Sequence, residues 1–138
     1  LGTILRAGEA AGITGVIMDS QTADIYNPKV IRSTMGAVFR VPFVYVEDLK
    51  AALLQLKDHG VHLYAAHLKG QNSYDQEDYT ESTGFLIGNE AQGLSDEIAS
   101  LADTYVKIPM AGSVESLNAA IASSVLMFEV ARQRRNQK

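Results

Sequence analysis

The feature that most constrains this chain is the alternation of short apolar runs with helix-forming segments, joined by links of a few residues. GVIMD (15–19), PFVYVED (42–48), VHLYAAH (61–67), TGFLIG (83–88) and DTYVKIPM (103–110) each read as a buried strand rich in β-branched or aromatic residues. Between them lie helical patterns. NPKVIRSTMGAVF opens on an Asn-Pro helix entry and carries about two turns. DLKAALLQLKDHG places Leu49, Ala52, Leu53 and Leu56 at helical spacing, with Asp48 as N-cap and Gly60 as stop. LSDEIASLA is a short helix, QNSYDQEDYTEST a polar loop or short helix, and SVESLNAAIASSVLMFEVARQRR a long terminal helix that Ser113 can cap. Strands so alternated predict one α/β domain over residues 1–138, with a mostly parallel sheet and helices on both faces.

Composition narrows the function classes. A hydrophobic fraction of 46% and a charged fraction of 20% suit an ordinary globular domain. No apolar run is long enough to span a bilayer and no signal peptide opens the chain, so a cytoplasmic location and no membrane partner are expected. With no cysteine there is no disulfide framework and no thiolate chemistry. His59, His62 and His67 lack ligand spacing, so no metal is expected. Between Gly70 and Val106 there are eight acidic residues and no Lys or Arg. A phosphate-bearing partner is therefore expected to meet the basic residues of the first third (Arg6, Lys29, Arg32, Arg40) or of the end (Arg132, Arg134, Arg135, Lys138).

Three stretches carry possible chemistry. LGTILRAGEAAG (1–12) reads as a helix already under way, expected to be cut from a larger chain. Its core stripe holds Leu1, Ile4, Leu5, Gly8 and Ala11, which leaves Arg6 at an edge. LIGNEAQGLS (86–95) stops a buried strand on Gly88 and sets Asn89 and Glu90 before Gly93. IPMAGSVESLNAAIA (108–122) ends a strand and opens a helix with Glu115, Ser116 and Asn118. That helix has no charge from Ser116 to Phe128 and is expected to be buried on most sides. Neither GxxxxGK[ST] nor a strand-borne GxGxxG occurs, and GxSxG is absent.

In this order, the three stretches resemble motifs 1, 2 and 3 of the SpoU (TrmH-like) branch of the SPOUT RNA methyltransferases, and RSTMGAVFRVP (32–42) resembles a further family stretch near the cofactor pocket. The resemblance implies methyl transfer from S-adenosylmethionine to a ribose 2′-hydroxyl of RNA, ribosomal RNA first and tRNA second. It implies a C-terminal trefoil knot and a homodimer, with Ile121, Val125 and Phe128 as a stripe that either forms the dimer face or packs on the sheet. Leu86, Ile87, Gly88, Ile108, Met110, Ser116, Leu117 and Asn118 would hold the cofactor, with bare backbone at Gly88 against the adenosyl group. Arg6, Glu90, Ser116 and Asn118 would be the catalytic set. The Asn that opens motif 1 is absent, so the resemblance leaves an edge strand, part of the site and any RNA-recognition domain to a preceding segment. Two rivals are a non-catalytic relative of the same fold and an unrelated doubly wound interaction module.

Overall fold

The computed structural model describes residues 1–19, 26–67, 70, 72–88, 93–112 and 118–137. The chain opens with helix α1 (Gly2–Ala11), whose apolar stripe is as expected: Leu5 and Gly8 are buried and Arg6 is exposed. Gly12, at φ 85°, ends it, and the N–H groups of Gly12 and Ile13 return to the Glu9 and Gly8 carbonyls. Strand β1 (Val16–Met18) then pairs in parallel with β2 (Phe43–Tyr45). Between them lies α2 (Pro28–Thr34), entered through Asn27, whose side chain accepts the Lys29 N–H at 2.9 Å. Helix α3 (Leu49–Asp58) is capped by Asp48, which accepts the Ala51 N–H at 3.1 Å, and Gly60 turns the chain at φ 84°.

The second half builds a four-stranded sheet from β3 (His62–Ala66), β4 (Asn72–Ser73), β5 (Thr83–Leu86) and β6 (Thr104–Lys107). Its order is β4-β6-β3-β5 and every pairing is parallel. Side chains alternate across it with the period of two that strand geometry imposes. Leu63, Ala65 and Leu86 face one way, against Leu53 and Leu56 of α3 and Ile98 of α4 (Asp96–Ala99). Tyr64 and Val106 face the other way, against buried Tyr79 and against Leu126 and Val130 of α5 (Ala119–Arg135). Helices thus cover both faces of this sheet. The two-stranded sheet is packed by α1 and residues 37–41 on one face, while Ile17, Val44 and Tyr45 are exposed.

Three sequence expectations are adjusted. The terminal helix begins at Ala119, not at Ser113, because Asn118 takes an extended conformation and caps it. That helix buries Ser123, Leu126, Met127 and Glu129 but leaves Ile121 51% and Phe128 45% exposed, so the uncharged run is half buried and does not turn all its apolar stripe to the sheet. The polar segment after β3 contains β4, too short and too polar to show a strand pattern, which is a strand because β6 offers it an edge. Among the described residues, no helix is long and apolar enough to cross a membrane.

Asp103 locks β6 to β3. Its carboxylate accepts the Leu63 N–H at 2.8 Å and pairs with Lys57 at 3.3 Å, while its own N–H donates to the Leu63 carbonyl at 2.7 Å. Burial alone would raise its pKa; the Leu63 amide and then Lys57 outweigh that and hold it below the ordinary 3.8. A carboxyl lowered on folding stabilises the native state above its unfolded pKa and loses that contribution as pH falls through its folded pKa. Asp103→Asn is expected to cost about 1–2 kcal/mol at neutral pH in urea denaturation, a charge-assisted bond being lost. The difference from wild type should close as the pH is lowered well below 3.8; a gap that stays constant into acid would remove Asp103 from this role.

Candidate functional site

The site is built where parallel strands end. β3 lies between β5 and β6, with Ala65 opposite Leu86 on one side and Ala66 opposite Val106 on the other. The same register carries the chain off β5 into Ile87 and Gly88, and off β6 into Ile108 and Met110. Both exits are therefore on one edge of the sheet, the carboxyl edge, where open parallel sheets take their ligands. Ile87 and Ile108 both pack against the cluster of Tyr64, Val106 and Leu126, so the ends of the second and third motif strands, on either side of β3, share one packing face. Leu86 is buried on the opposite face, while Ile87, Gly88, Ile108 and Met110 are half buried and keep surface for a ligand.

Packing supplies a reason of its own for glycine at the end of β5. A Cβ on Gly88 would lie 2.3 Å from the Gly93 carbonyl carbon and from the Leu94 nitrogen. What excludes a side chain there is the chain's own returning backbone. Gly70 repeats the device after β3: a Cβ would sit 2.7 Å from the Val106 carbonyl carbon and 2.8 Å from the Lys107 nitrogen. Two tight backbone crossings thus brace the carboxyl edge. Residues 89–92 and 113–117 lie outside the described residues, and Glu90, Ser116 and Leu117 with them.

Asn118 is described, and its first task is structural. Its Oδ1 accepts the Ile121 N–H at 2.8 Å, capping α5, and its amide nitrogen is left to donate elsewhere. Arg6 projects from α1 with no hydrogen-bond or ion-pair partner among the described residues. Helix α1 is seated firmly: Gly2 abuts Ser33 and the Val30 carbonyl, and Gly8 abuts Ile13 and the Met127 sulfur. One turn beyond Arg6, Glu9 pairs with Arg40, which also donates to the Met35 carbonyl at 3.4 Å. The Arg40 hydrogen bond holds the Glu9 carboxyl below its usual range. The 32–42 stretch, expected near the pocket, is thereby clamped to α1. No sequence pattern announced this pair, which joins residues 31 apart.

The other basic groups separate into engaged and free. Arg132 pairs with Glu129, and Arg134 donates to the Tyr79 and Glu81 carbonyls at 3.2 and 2.9 Å. Arg132 and Arg134, expected to meet a phosphate, are thus largely spent on holding the fold, whereas Arg135 is exposed with no ion pair among the described residues and Lys138 lies outside them. Lys29 and Arg32, exposed on α2, have no ion pair among the described residues. No group of three His, Cys, Asp or Glu suited to a metal ion occurs among the described residues. His62 contacts the Thr104 hydroxyl at 2.8 Å, His59 the Gln55 carbonyl at 2.8 Å, and His67 stacks on Tyr105. A cavity of about 1020 Å³ lies between the two sheets; Leu86 and Ile87 line it, but Gly88, Ile108, Met110 and Asn118 do not.

Comparison with known proteins agrees with this architecture. Residues 1–128 match the model of the SpoU rRNA methylase family. A Staphylococcus aureus protein named "Putative TrmH family tRNA/rRNA methyltransferase" is 36% identical over 97% of this chain, which spans 54% of that protein. The SpoU methyltransferase AviRb from Streptomyces viridochromogenes, solved with AdoMet, superposes with a TM-score of 0.88 at 37% identity, over 99% of this chain and 54% of that one. A solved RNA 2′-O ribose methyltransferase gives 0.86 at 30% identity, over 97% and 51%. The chain spans about half the length of the relatives it matches.

Adding a methyl at Gly88 forces backbone apart. Gly88→Ala is expected to destabilise by roughly 1–3 kcal/mol, whereas Gly112→Ala, which meets nothing within 4 Å, should stay within about 0.5 kcal/mol of wild type. Chemical denaturation of the two variants side by side checks this; equal midpoints would disprove the tight crossing.

Proposed function

The chain belongs to the SpoU rRNA methylase family, and from that premise we propose that it is the methyl-transfer domain of a cytoplasmic RNA 2′-O-ribose methyltransferase acting on ribosomal RNA. The observation that carries the reading is the convergence of residues 86–88 and 108–110 on one carboxyl edge, within a chain matched over residues 1–128. A tRNA substrate is the second reading, favoured by the name of the staphylococcal relative.

The described residues fit S-adenosylmethionine. Ile87 and Ile108 offer half-buried aliphatic walls for a flat purine, and Gly88 and Met110 bring main-chain groups beside them. Leu86 backs this wall from the opposite face, and Ser116, Leu117 and Asn118 would close the pocket from the start of the terminal helix. When bound, the cofactor supplies an electrophilic methyl group on a sulfonium.

The protein's own residues do the rest. Arg6 is proposed as a fixed charge and not as a proton acceptor, since a guanidinium has no free lone pair and stays protonated. Its donors grip an RNA phosphate and stabilise the developing ribose alkoxide. Lys29 and Arg32, exposed on α2, extend the phosphate contact. Asn118, with its oxygen committed to capping, can donate through its amide nitrogen; Ser116 orients the hydroxyl, and Glu90 steadies Arg6 or the ribose. Among the described residues no metal centre competes with this arrangement.

Two structural proposals accompany the chemistry. The C-terminal part is threaded as a trefoil knot, a reading supported by membership of the family. The protein works as a homodimer through α5, supported by the outward Ile121 and Phe128. Sedimentation velocity at micromolar concentration is expected to show a dimer, and Phe128→Glu a monomer; a monomeric wild type rejects the interface.

For the reaction, calorimetry with S-adenosylhomocysteine should show binding by the natural full-length polypeptide. Arg6→Ala should lower single-turnover methyl transfer to ribosomal RNA by about 100-fold or more, in line with the loss of one oxyanion donor. Arg6→Lys should recover part of the loss, and neither change should abolish cofactor binding. Undiminished transfer in both variants removes Arg6 from the mechanism, and absence of cofactor binding removes the reading itself.

A further inference from the structure

We infer that the ring of Phe39 is a stacking platform for an unpaired RNA base, served by the cations of the same stretch, Lys29 and Arg32. The inference rests on the methyl-transfer reading above and names the form of RNA that it takes. Phe39 is 84% exposed, more than any other large apolar side chain among the described residues, and Met35 is 65% exposed. Phenylalanine belongs by preference to interiors, yet a lone apolar side chain on a surface calls for no explanation. Three further observations set this one apart. The first is its frame. Phe39 closes a short 3-10 turn (Ala37–Phe39), its N–H donating to the Gly36 carbonyl at 3.1 Å. Ala37, Val38 and Val41, around it in the chain, are buried in the cluster of Leu5 and Met18. The next residue, Arg40, is fixed by Glu9 and donates to the Met35 carbonyl at 3.4 Å. Met35 stands at φ 51°, a left-handed backbone that a side chain disfavours. Its neighbour Thr34 is fully buried and its hydroxyl donates to the Ile31 carbonyl at 2.7 Å. The backbone that carries the ring is thus braced while the ring stands in solvent, so little order is lost when a ligand settles on it.

The second observation is charge. From Tyr26 to Val46 the chain carries Lys29, Arg32 and Arg40 and no Asp or Glu. Lys29 and Arg32 lie three residues apart on α2, which makes them neighbours on one helix face. The Arg32 carbonyl accepts the Met35 N–H at 3.3 Å, and the Met35 carbonyl accepts Arg40, so cations and apolar side chains form one continuous stretch. A protein partner would meet charge where the buried core of an interface is depleted of it. An unpaired nucleotide suits both halves of the stretch. Its base offers an apolar face to the ring, and its phosphates meet the cations. The bases of a duplex are already stacked on one another and have no such face to give.

The third observation is position. Arg40 pairs with Glu9, and Glu9 lies three residues beyond Arg6 on α1, at a neighbouring place on that helix. Phe39, next to Arg40 in the chain, is therefore tied to the part of α1 that carries Arg6. With the Arg6 guanidinium on a phosphate at the reacting ribose, a base on Phe39 belongs to an adjacent nucleotide and not to the one methylated. The two contacts together select a target in a loop, a bulge or a single-stranded end, where a base can be turned out to meet the ring. Phe39 is in this sense a substrate-selecting residue, and its contribution is to the binding of RNA and not to the cofactor.

The test uses the natural full-length polypeptide and a fluorescein-labelled twelve-nucleotide oligouridylate, read by anisotropy at about 50–200 mM salt. Phe39→Ala should weaken binding about fivefold or more, as expected for one lost base–aromatic stack, with Phe39→Trp restoring it and Phe39→Leu failing to. The slope of log affinity against log salt should be unchanged in Phe39→Ala and should fall by about 0.7 in Arg32→Ala, which removes a phosphate contact. In methyl transfer to ribosomal RNA, Phe39→Ala should raise KM, with S-adenosylhomocysteine binding as in wild type. Equal oligouridylate affinity in wild type and Phe39→Ala overturns the inference, as does full affinity in Phe39→Leu or an equal loss on an RNA duplex of the same length. A Phe39→Ala protein that loses its dimer in sedimentation and keeps its RNA affinity also overturns it, assigning the ring to a second copy. Loss of the oligouridylate contact in Phe39→Ala, where wild type binds no S-adenosylhomocysteine, supports the platform and rejects the methyl-transfer reading.

Discussion

The structure depends on the register of β3. Because Ala65 faces Leu86 and Ala66 faces Val106, and because all three strands run the same way, two segments far apart in sequence must leave the sheet side by side. Parallel pairing removes the option of a hairpin, so each strand has to be reached by a crossover, and those crossovers become the helices that bury both faces. The tight places then follow. Returning chain passes so close to the strand ends at Gly70 and Gly88 that no side chain fits. What this geometry leaves at the edge is half-buried isoleucines and main chain.

Much of this was legible in the residues. The apolar runs marked five strands, within one residue at their starts and up to three at their ends, and Asn27-Pro28, Asp48 and Gly60 marked helix ends through the same capping chemistry that the structure uses. Arg6 was legible as exposed because the core stripe of α1 accounts for its neighbours. The rest was hidden for identifiable reasons. β4 is two polar residues whose strand character comes entirely from the β6 edge. The start of α5 was displaced because Asn118 competes with Ser113 as a cap, and local pattern does not rank two good caps. The packing reason for Gly88 was invisible because it depends on where residues 93 and 94 return.

Charge shows the same division between composition and placement. By count, the C-terminal arginines were as good a phosphate site as the N-terminal ones. Placement separates them: Arg132 neutralises Glu129, which is itself buried, and Arg134 ties α5 to the carbonyls of Tyr79 and Glu81. Gln133 adds two more bonds to that loop, accepting the Tyr79 N–H and donating to the Glu77 carbonyl. A guanidinium that satisfies buried or main-chain acceptors has little left to offer a ligand. Arg6 has no such partner among the described residues, while Arg40 has been taken by Glu9. Selection among arginines is therefore made by the tertiary structure, which engages Arg40, Arg132 and Arg134 and leaves Arg6, Arg32 and Arg135 exposed without an ion pair among the described residues.

These threads meet at α1. The helix carries Arg6, is held at one end by α2 and at the other by α5, and is fixed along its side by the Glu9–Arg40 pair. Such seating suits the role proposed for Arg6, because a fixed charge needs no reorganisation when opposite charge develops beside it. The same helix lines the cavity between the two sheets through Ile4, Ala10 and Ala11. Packing between the sheets and the chemistry proposed at their edge thus share one helix, so a change that unseats α1 is expected to disturb both.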